Sequence, residues 1–99
     1  MQPTRVFRPV PAGSATISVT TSTAATALPQ ASEQYRLYNA GSGTVFFNFG
    51  ASGVTAAVAT GTPIPSGAVE VFTAAPNATH IATIGSAAAT LYVTAGEGI

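Results

Sequence analysis

The stretch Gln34-Tyr35-Arg36-Leu37-Tyr38-Asn39, Ala40-Gly41-Ser42-Gly43, Thr44-Val45-Phe46-Phe47-Asn48-Phe49-Gly50 decides how the chain reads. Aromatic and β-branched residues flank a short run of Gly, Ser and Ala, which is the sequence form of two strands joined as a β-hairpin. Five of the eight aromatic residues lie here, so most of the large apolar side chains available to a core are concentrated in this segment. Tyr35, Leu37 and Asn39 alternate with Arg36 and Tyr38, and Val45, Phe47 and Phe49 alternate with Phe46 and Asn48. Apolar bulk on both faces of the second strand implies cover on both sides, one the domain core and the other a partner or an adjacent arm.

Upstream, residues 1–13 hold Pro3, Pro9 and Pro11 around Arg5, Val6, Phe7 and Arg8. Three prolines so close together oppose both helix and ladder, so an extended N-terminal arm is expected, followed by a β-domain over residues 14–99. Phe7 would be the arm's apolar anchor, and Arg5 and Arg8 its polar clamps on a neighbouring subunit. Residues 14–21 alternate Ile17 and Val19 with Thr16, Ser18 and Thr20, a half-buried strand. Residues 22–34, rich in Ala, Thr and Ser, read as a loop or edge strand.

Downstream, a weak strand is expected near residues 54–60. A turn follows at Thr62-Pro63-Ile64-Pro65-Ser66-Gly67, where Gly67 can accept a positive φ. Residues 68–74 form a strand with Val69 and Val71 opposed to Glu70 and Phe72. Ala75-Pro76-Asn77-Ala78 is a second turn, and strands follow at 79–84 and 89–94, the last with Leu91 and Val93 inward and Thr90, Tyr92 and Thr94 outward. Residues 95–99 read as a flexible tail. Six to eight short strands without a helix define an all-β protein, an antiparallel β-sandwich or small barrel with the extended N-terminal arm.

Composition narrows the function. A chain of 99 residues is one domain, large enough to bury about 60–70% of its unfolded surface without metal or disulfide. It has no cysteine, which removes thiolate nucleophiles, disulfides and Cys-based zinc sites. Charged residues make up 6% and the formal net charge is zero. Such a surface lacks ordinary colloidal repulsion and is expected to be covered by partners or solvated by hydroxyls and amides. Three arginines, Arg5, Arg8 and Arg36, do not make a phosphate-tracking surface, so nucleic acid is not an expected partner. No apolar run reaches membrane-spanning length, so no membrane association is expected, and the prolines and arginines near Met1 oppose a signal peptide.

No chemistry-bearing constellation stands out. His80 is the only histidine, Glu33, Glu70 and Glu97 are the only acids, and no Gly-x-Ser-x-Gly surrounds a serine. Two carboxylates brought about 5–10 Å apart would be needed for glycoside hydrolysis, and nothing local singles out a pair. Gly41-Ser42-Gly43 lacks the lysine and helix of a phosphate loop, and Asn77-Ala78-Thr79 reads as a turn that also satisfies a glycosylation sequon. No catalytic residue, cofactor or metal site is expected. Rows of Thr, Ser and Ala on strand faces instead offer area that a partner can cover at low desolvation cost.

The pattern Arg36-Leu37-Tyr38-Asn39-Ala40-Gly41, the aromatic strand 44–50, Pro63-Ile64-Pro65-Ser66-Gly67 and Leu91-Tyr92-Val93-Thr94-Ala95-Gly96-Glu97-Gly98, in that order, resembles small β-rich virion structural proteins of tailed bacteriophages. The resemblance covers about two thirds of the chain, from Tyr35 onward. It implies a non-enzymatic capsid decoration or cement subunit on the capsid surface, bound to the major capsid protein. Homo-oligomerisation around a symmetry axis, of which a trimer is one form, would hide the weakly charged faces. The expected contacts are Arg5, Phe7, Arg8, Tyr38 and Phe46. The rival expectations are a tail- or fibre-associated module that recognises a host glycan through Tyr38 and Tyr92, and a head–tail or tail accessory protein.

Overall fold

The computed structural model describes residues 7–97. It contains β1 (Arg8–Val19), β2 (Ala24–Ala27), β3 (Gln34–Asn39), β4 (Val45–Gly50), β5 (Thr62–Ile64), β6 (Val69–Thr73), β7 (His80–Gly85) and β8 (Ala89–Glu97), with no helix among the described residues. Two antiparallel four-stranded sheets pack face to face, the first in the order β1-β8-β3-β6 and the second in the order β2-β7-β4-β5. This is the expected β-sandwich.

The inward residues follow the alternation of the sequence. Ile17 and Val19, Tyr35 and Leu37, and Leu91, Val93 and Ala95 line the first sheet, against Val45, Phe47, Ile64 and Ile81 of the second. Phe47 meets Phe72 edge-on at 4.8 Å between ring centroids and Phe49 at 5.5 Å, and Phe49 lies 5.8 Å from Tyr35. This aromatic cluster ties the sheets together, and edge-to-face pairs add about 0.5–1.5 kcal/mol each beyond the area they bury.

β3 and β4 do not form the expected hairpin. β3 pairs with β8 and β6, whereas β4 pairs with β7 and β5, so residues 40–44 step from one sheet to the other. Ala40 N still donates to Thr90 O of the first sheet, and Thr44 O already accepts from Ser86 N beside the second. Gly41 makes the step possible, because a Cβ there would stand 2.7 Å from Ala89 Cα. Asn39, fully buried, locks it. Its Nδ2 donates to Gly43 O at 2.8 Å and to Ile64 O at 2.9 Å, and its Oδ1 accepts from Gly41 N at 2.9 Å. Inward alternation is identical for strands placed side by side and strands facing one another across a core, which is why the sequence pattern did not separate the two.

Four other segments differ from expectation. Residues 8–13 are not a separate arm, since β1 runs through the 13/14 boundary and pairs with β8 at Arg8↔Glu97 and Pro9↔Gly96 as well as from Ser14 onward. The prolines are accommodated by a bulge between Pro9 and Ser14, where Ala12 takes φ 58°, on an edge strand that tolerates lost donors. β8 likewise continues through residues 95–97 of the expected tail. Residues 54–60 are irregular backbone ending in a turn, not a strand, with Val54 N bonded to Ala51 O and both Thr60 N and Gly61 N bonded to Ala57 O. The turn expected at 62–67 forms only from Pro65 onward, because Thr62–Ile64 is strand β5 paired with β4, whereas the turn at 75–78 forms as expected. Gly67 has φ 78° in the Pro65–Ala68 turn, and Asn77 has φ 62° after Pro76, the type II preference for Asn or Gly at the third position.

Candidate interaction surface

Of the acids and the histidine, the fold brings only Glu33 and Glu97 to one place. His80 Nδ1 lies 2.8 Å from Thr79 Oγ1 at the start of inner strand β7, where His80 is half-buried. Glu70 sits on edge strand β6, while Glu33 and Glu97 line an open, polar cleft of about 430 Å³ with Gln34 and Ser32. No group of three His, Cys, Asp or Glu among the described residues is placed to hold a metal ion. Burial raises the Tyr35 phenol above the ordinary 10.0, with a smaller opposing effect from the Ser32 backbone; its hydroxyl donates to Gln30 O at 2.5 Å. It is a core group, walled in beside Phe49.

The two outer faces of the sandwich are unlike. On the first sheet the register aligns Thr16, Tyr92, Tyr38 and Val69 in one row across all four strands, and Ser14, Thr94, Arg36 and Val71 in the next. Tyr38 and Tyr92 stack at 5.8 Å with their planes 15° apart, and remain 37% and 41% exposed; Val69 is 46% exposed. Ser14 Oγ and Thr94 Oγ1 bond each other at 2.8 Å, so this pair of hydroxyls in the row beside the tyrosines is already partnered. Arg36 is the one charged side chain in these two rows. Gly96 continues the outward set Tyr92 and Thr94, and the Phe7 ring occupies the place of its missing side chain, since a Cβ there would stand 2.8 Å from Phe7 Cε1. Phe7 is therefore half-buried against its own sheet and extends the apolar surface by one row.

The outer face of the second sheet is covered by residues 51–61. Asn48 Nδ2 donates to Thr55 O at 3.2 Å, and Ala56 N donates to Thr23 Oγ1 at 2.8 Å. Ala56 is buried, and Ala82, which the register turns outward between Asn48 and Ala25, has no exposure at all. Gly61 passes so close to Phe46 that a Cβ would stand 2.9 Å from Phe46 Cβ. The second cover inferred for β4 is thus supplied by the chain's own loop.

Of the expected contact residues, the fold gathers Phe7 and Tyr38 on the first sheet's outer face. Phe46 lies half-buried on the opposite side of the molecule. Arg8 is exposed at the end of edge strand β1, and Arg5 lies outside the described residues. Arg36, Val69 and Val71 were missing from the expected set, and Tyr92 entered it only as a glycan contact. The signal for the valines was the phase of β6: once Phe72 turns inward, Val69 and Val71 must turn out. Comparison with protein-family models, with curated proteins and with solved structures finds no match for this chain.

Proposed function

We propose that the chain is a non-enzymatic virion structural protein, a decoration or cement subunit at the capsid surface that binds the major capsid protein through the outer face of its first sheet. The observation that supports this reading is that face itself: low in charge, with two stacked tyrosines, exposed Val69 and half-buried Val71, beside the bonded Ser14–Thr94 hydroxyl pair. Tyrosine-rich centres with satisfied polar rims are what partners cover at low desolvation cost. Arg36 supplies a single directional contact, and Phe7 and Arg8 extend the surface along β1. The phage assignment adds the resemblance of residues 35–98 to small tailed-phage virion proteins.

The test is sedimentation of the purified chain with empty capsid shells of the virus that encodes it. Saturable co-sedimentation is expected, with at least tenfold weaker binding when Tyr38 and Tyr92 are both replaced by serine. Shells that sediment without the chain would overturn the reading, and binding of the free chain to host glycans would put a tail or fibre module in its place.

A further inference from the structure

Each four-stranded sheet leaves two edges, and the four edges are not equally protected. β1 carries Pro9, Pro11 and the Ala12 bulge at one end, and at the other the Thr20 carbonyl is taken by Gly85 N of the second sheet. β5 has three residues, one of them Pro63, and β2 has four small residues. β6, Val69-Glu70-Val71-Phe72-Thr73, has neither proline nor bulge. Proline, bulges, shortness and charge are the usual means of blunting an edge, and of these β6 has only the single carboxylate of Glu70.

The hydrogen-bond phase of β6 is set by its ladder to β3. Asn39 N donates to Ala68 O at 3.1 Å and Ala74 N to Glu33 O at 2.8 Å, and these pairs share the register of Leu37↔Glu70 and Tyr35↔Phe72. The backbone groups of Glu70 and Phe72 therefore point at β3. By alternation those of Val69, Val71 and Thr73 point away from the sheet, and no hydrogen bond among the described residues takes them up.

From this edge we infer that β6 pairs antiparallel with β6 of a second copy, with Val71 on the two-fold axis. In that register all of Val69, Val71 and Thr73 on both strands find backbone partners, Val71 facing Val71 and Val69 facing Thr73. A register two residues away, centred on Glu70, engages fewer backbone groups and sets the two Glu70 carboxylates directly opposite one another, which like charges disfavour. The Val71 register keeps the glutamates apart and places Glu70 opposite Phe72. The product is a continuous eight-stranded sheet whose outer face carries the Tyr38–Tyr92 stack of both copies, with half-buried Val71 and exposed Val69 at its centre. The inference concerns pairing of the chain with itself and does not rest on the virion reading.

Light scattering of the full chain over a concentration series tests it. The mass is expected to rise from 9.8 kDa to twice that value. Val71→Lys, which brings two ammonium groups together on the axis, should hold the chain at 9.8 kDa with an unchanged circular dichroism spectrum. Val71→Pro should do the same, because the Val71 N–H serves no bond within one copy. In a chain without native cysteine, Val71→Cys places the two Cα atoms about 5.5 Å apart, whereas Val69→Cys leaves about 14 Å. A short bis-maleimide should join the first pair and not the second. A chain that stays at 9.8 kDa, a trimer, a dimer that Val71→Lys leaves intact, or equal crosslinking of the two cysteine variants would each overturn the inference. So would β6 amides protected from hydrogen exchange only when capsid shells are added, which would give this edge to a strand of another protein.

Discussion

The two outer faces of the sandwich both carry aromatic and aliphatic side chains, yet the chain treats them in opposite ways. Over the second sheet it lays residues 51–61, burying Ala56 and Ala82 and half-burying Phe46. Over the first it lays nothing on the central rows, and Tyr38, Tyr92 and Val69 stay in water. Apolar surface that a chain covers itself contributes to folding, whereas apolar surface left bare is available to association. Side chains of one chemical type, Phe46 and Tyr38, thus fall on different sides of that division because of a loop, not because of their own strands.

The comparison breaks most completely if the sheets come apart, and Asn39 holds them in place. Asn39→Leu leaves the Gly43 and Ile64 carbonyls and the Gly41 N–H without partners, and should cost about 3 kcal/mol in urea unfolding. Asn39→Asp should cost at least as much, because a carboxylate then faces two carbonyls.

The asymmetry itself is probed by one substitution on each face. Gly61→Ala presses a methyl against Phe46 Cβ and Ala57 O and should destabilise by about 1–3 kcal/mol while raising binding of an apolar dye, as the cover lifts. Replacing Tyr38 and Tyr92 together by serine should change thermal stability by about 1 kcal/mol or less, within the range of an exposed cross-strand pair. Equal thermal shifts from the two changes would mean that the faces do not differ as described.

A further effect concerns pH. Tyr35 keeps its proton to higher pH in the folded chain than in the unfolded one, because burial disfavours the phenolate. Above about pH 10 the unfolded state therefore binds fewer protons than the native state, so this contribution is whole below that pH and is lost as pH rises through the folded value. Tyr35→Phe should cost about 1 kcal/mol at neutral pH, through the bond to Gln30 O, and should flatten the alkaline decline in urea midpoint. A decline of the same steepness in the variant would assign it to other groups.

Most strand positions and the inward set were legible because alternation has a physical cause, each strand having one wet and one dry side, but residues 54–60 and the three-residue β5 are too short of apolar alternation to show it. Pairing was not legible. Tyr35, Leu37 and Asn39 face Val45, Phe47 and Phe49 across the core instead of lying beside them, and a period of two is blind to that distinction. Prolines in residues 8–13 argued against a ladder, yet an edge strand with a bulge absorbs them. Tyr38 was recognisable as outward from its own strand. Phe46 was too, but the loop that covers it has no periodic pattern to announce its path.

The step between sheets at residues 40–44 also bears on how the molecule comes to be made. Among the paired strands only β4 and β5 are neighbours in sequence; β1 waits for β8, and β3 for β6 and β8. Little of either sheet can assemble while the chain is still emerging from the ribosome, and almost every pairing must close a long loop before it is rewarded. Folding is then expected on the slow scale of all-β topologies, about milliseconds to seconds. During that interval a nascent β3, with Tyr35, Leu37 and Tyr38 unpaired, has chaperones or sister chains as its nearest company.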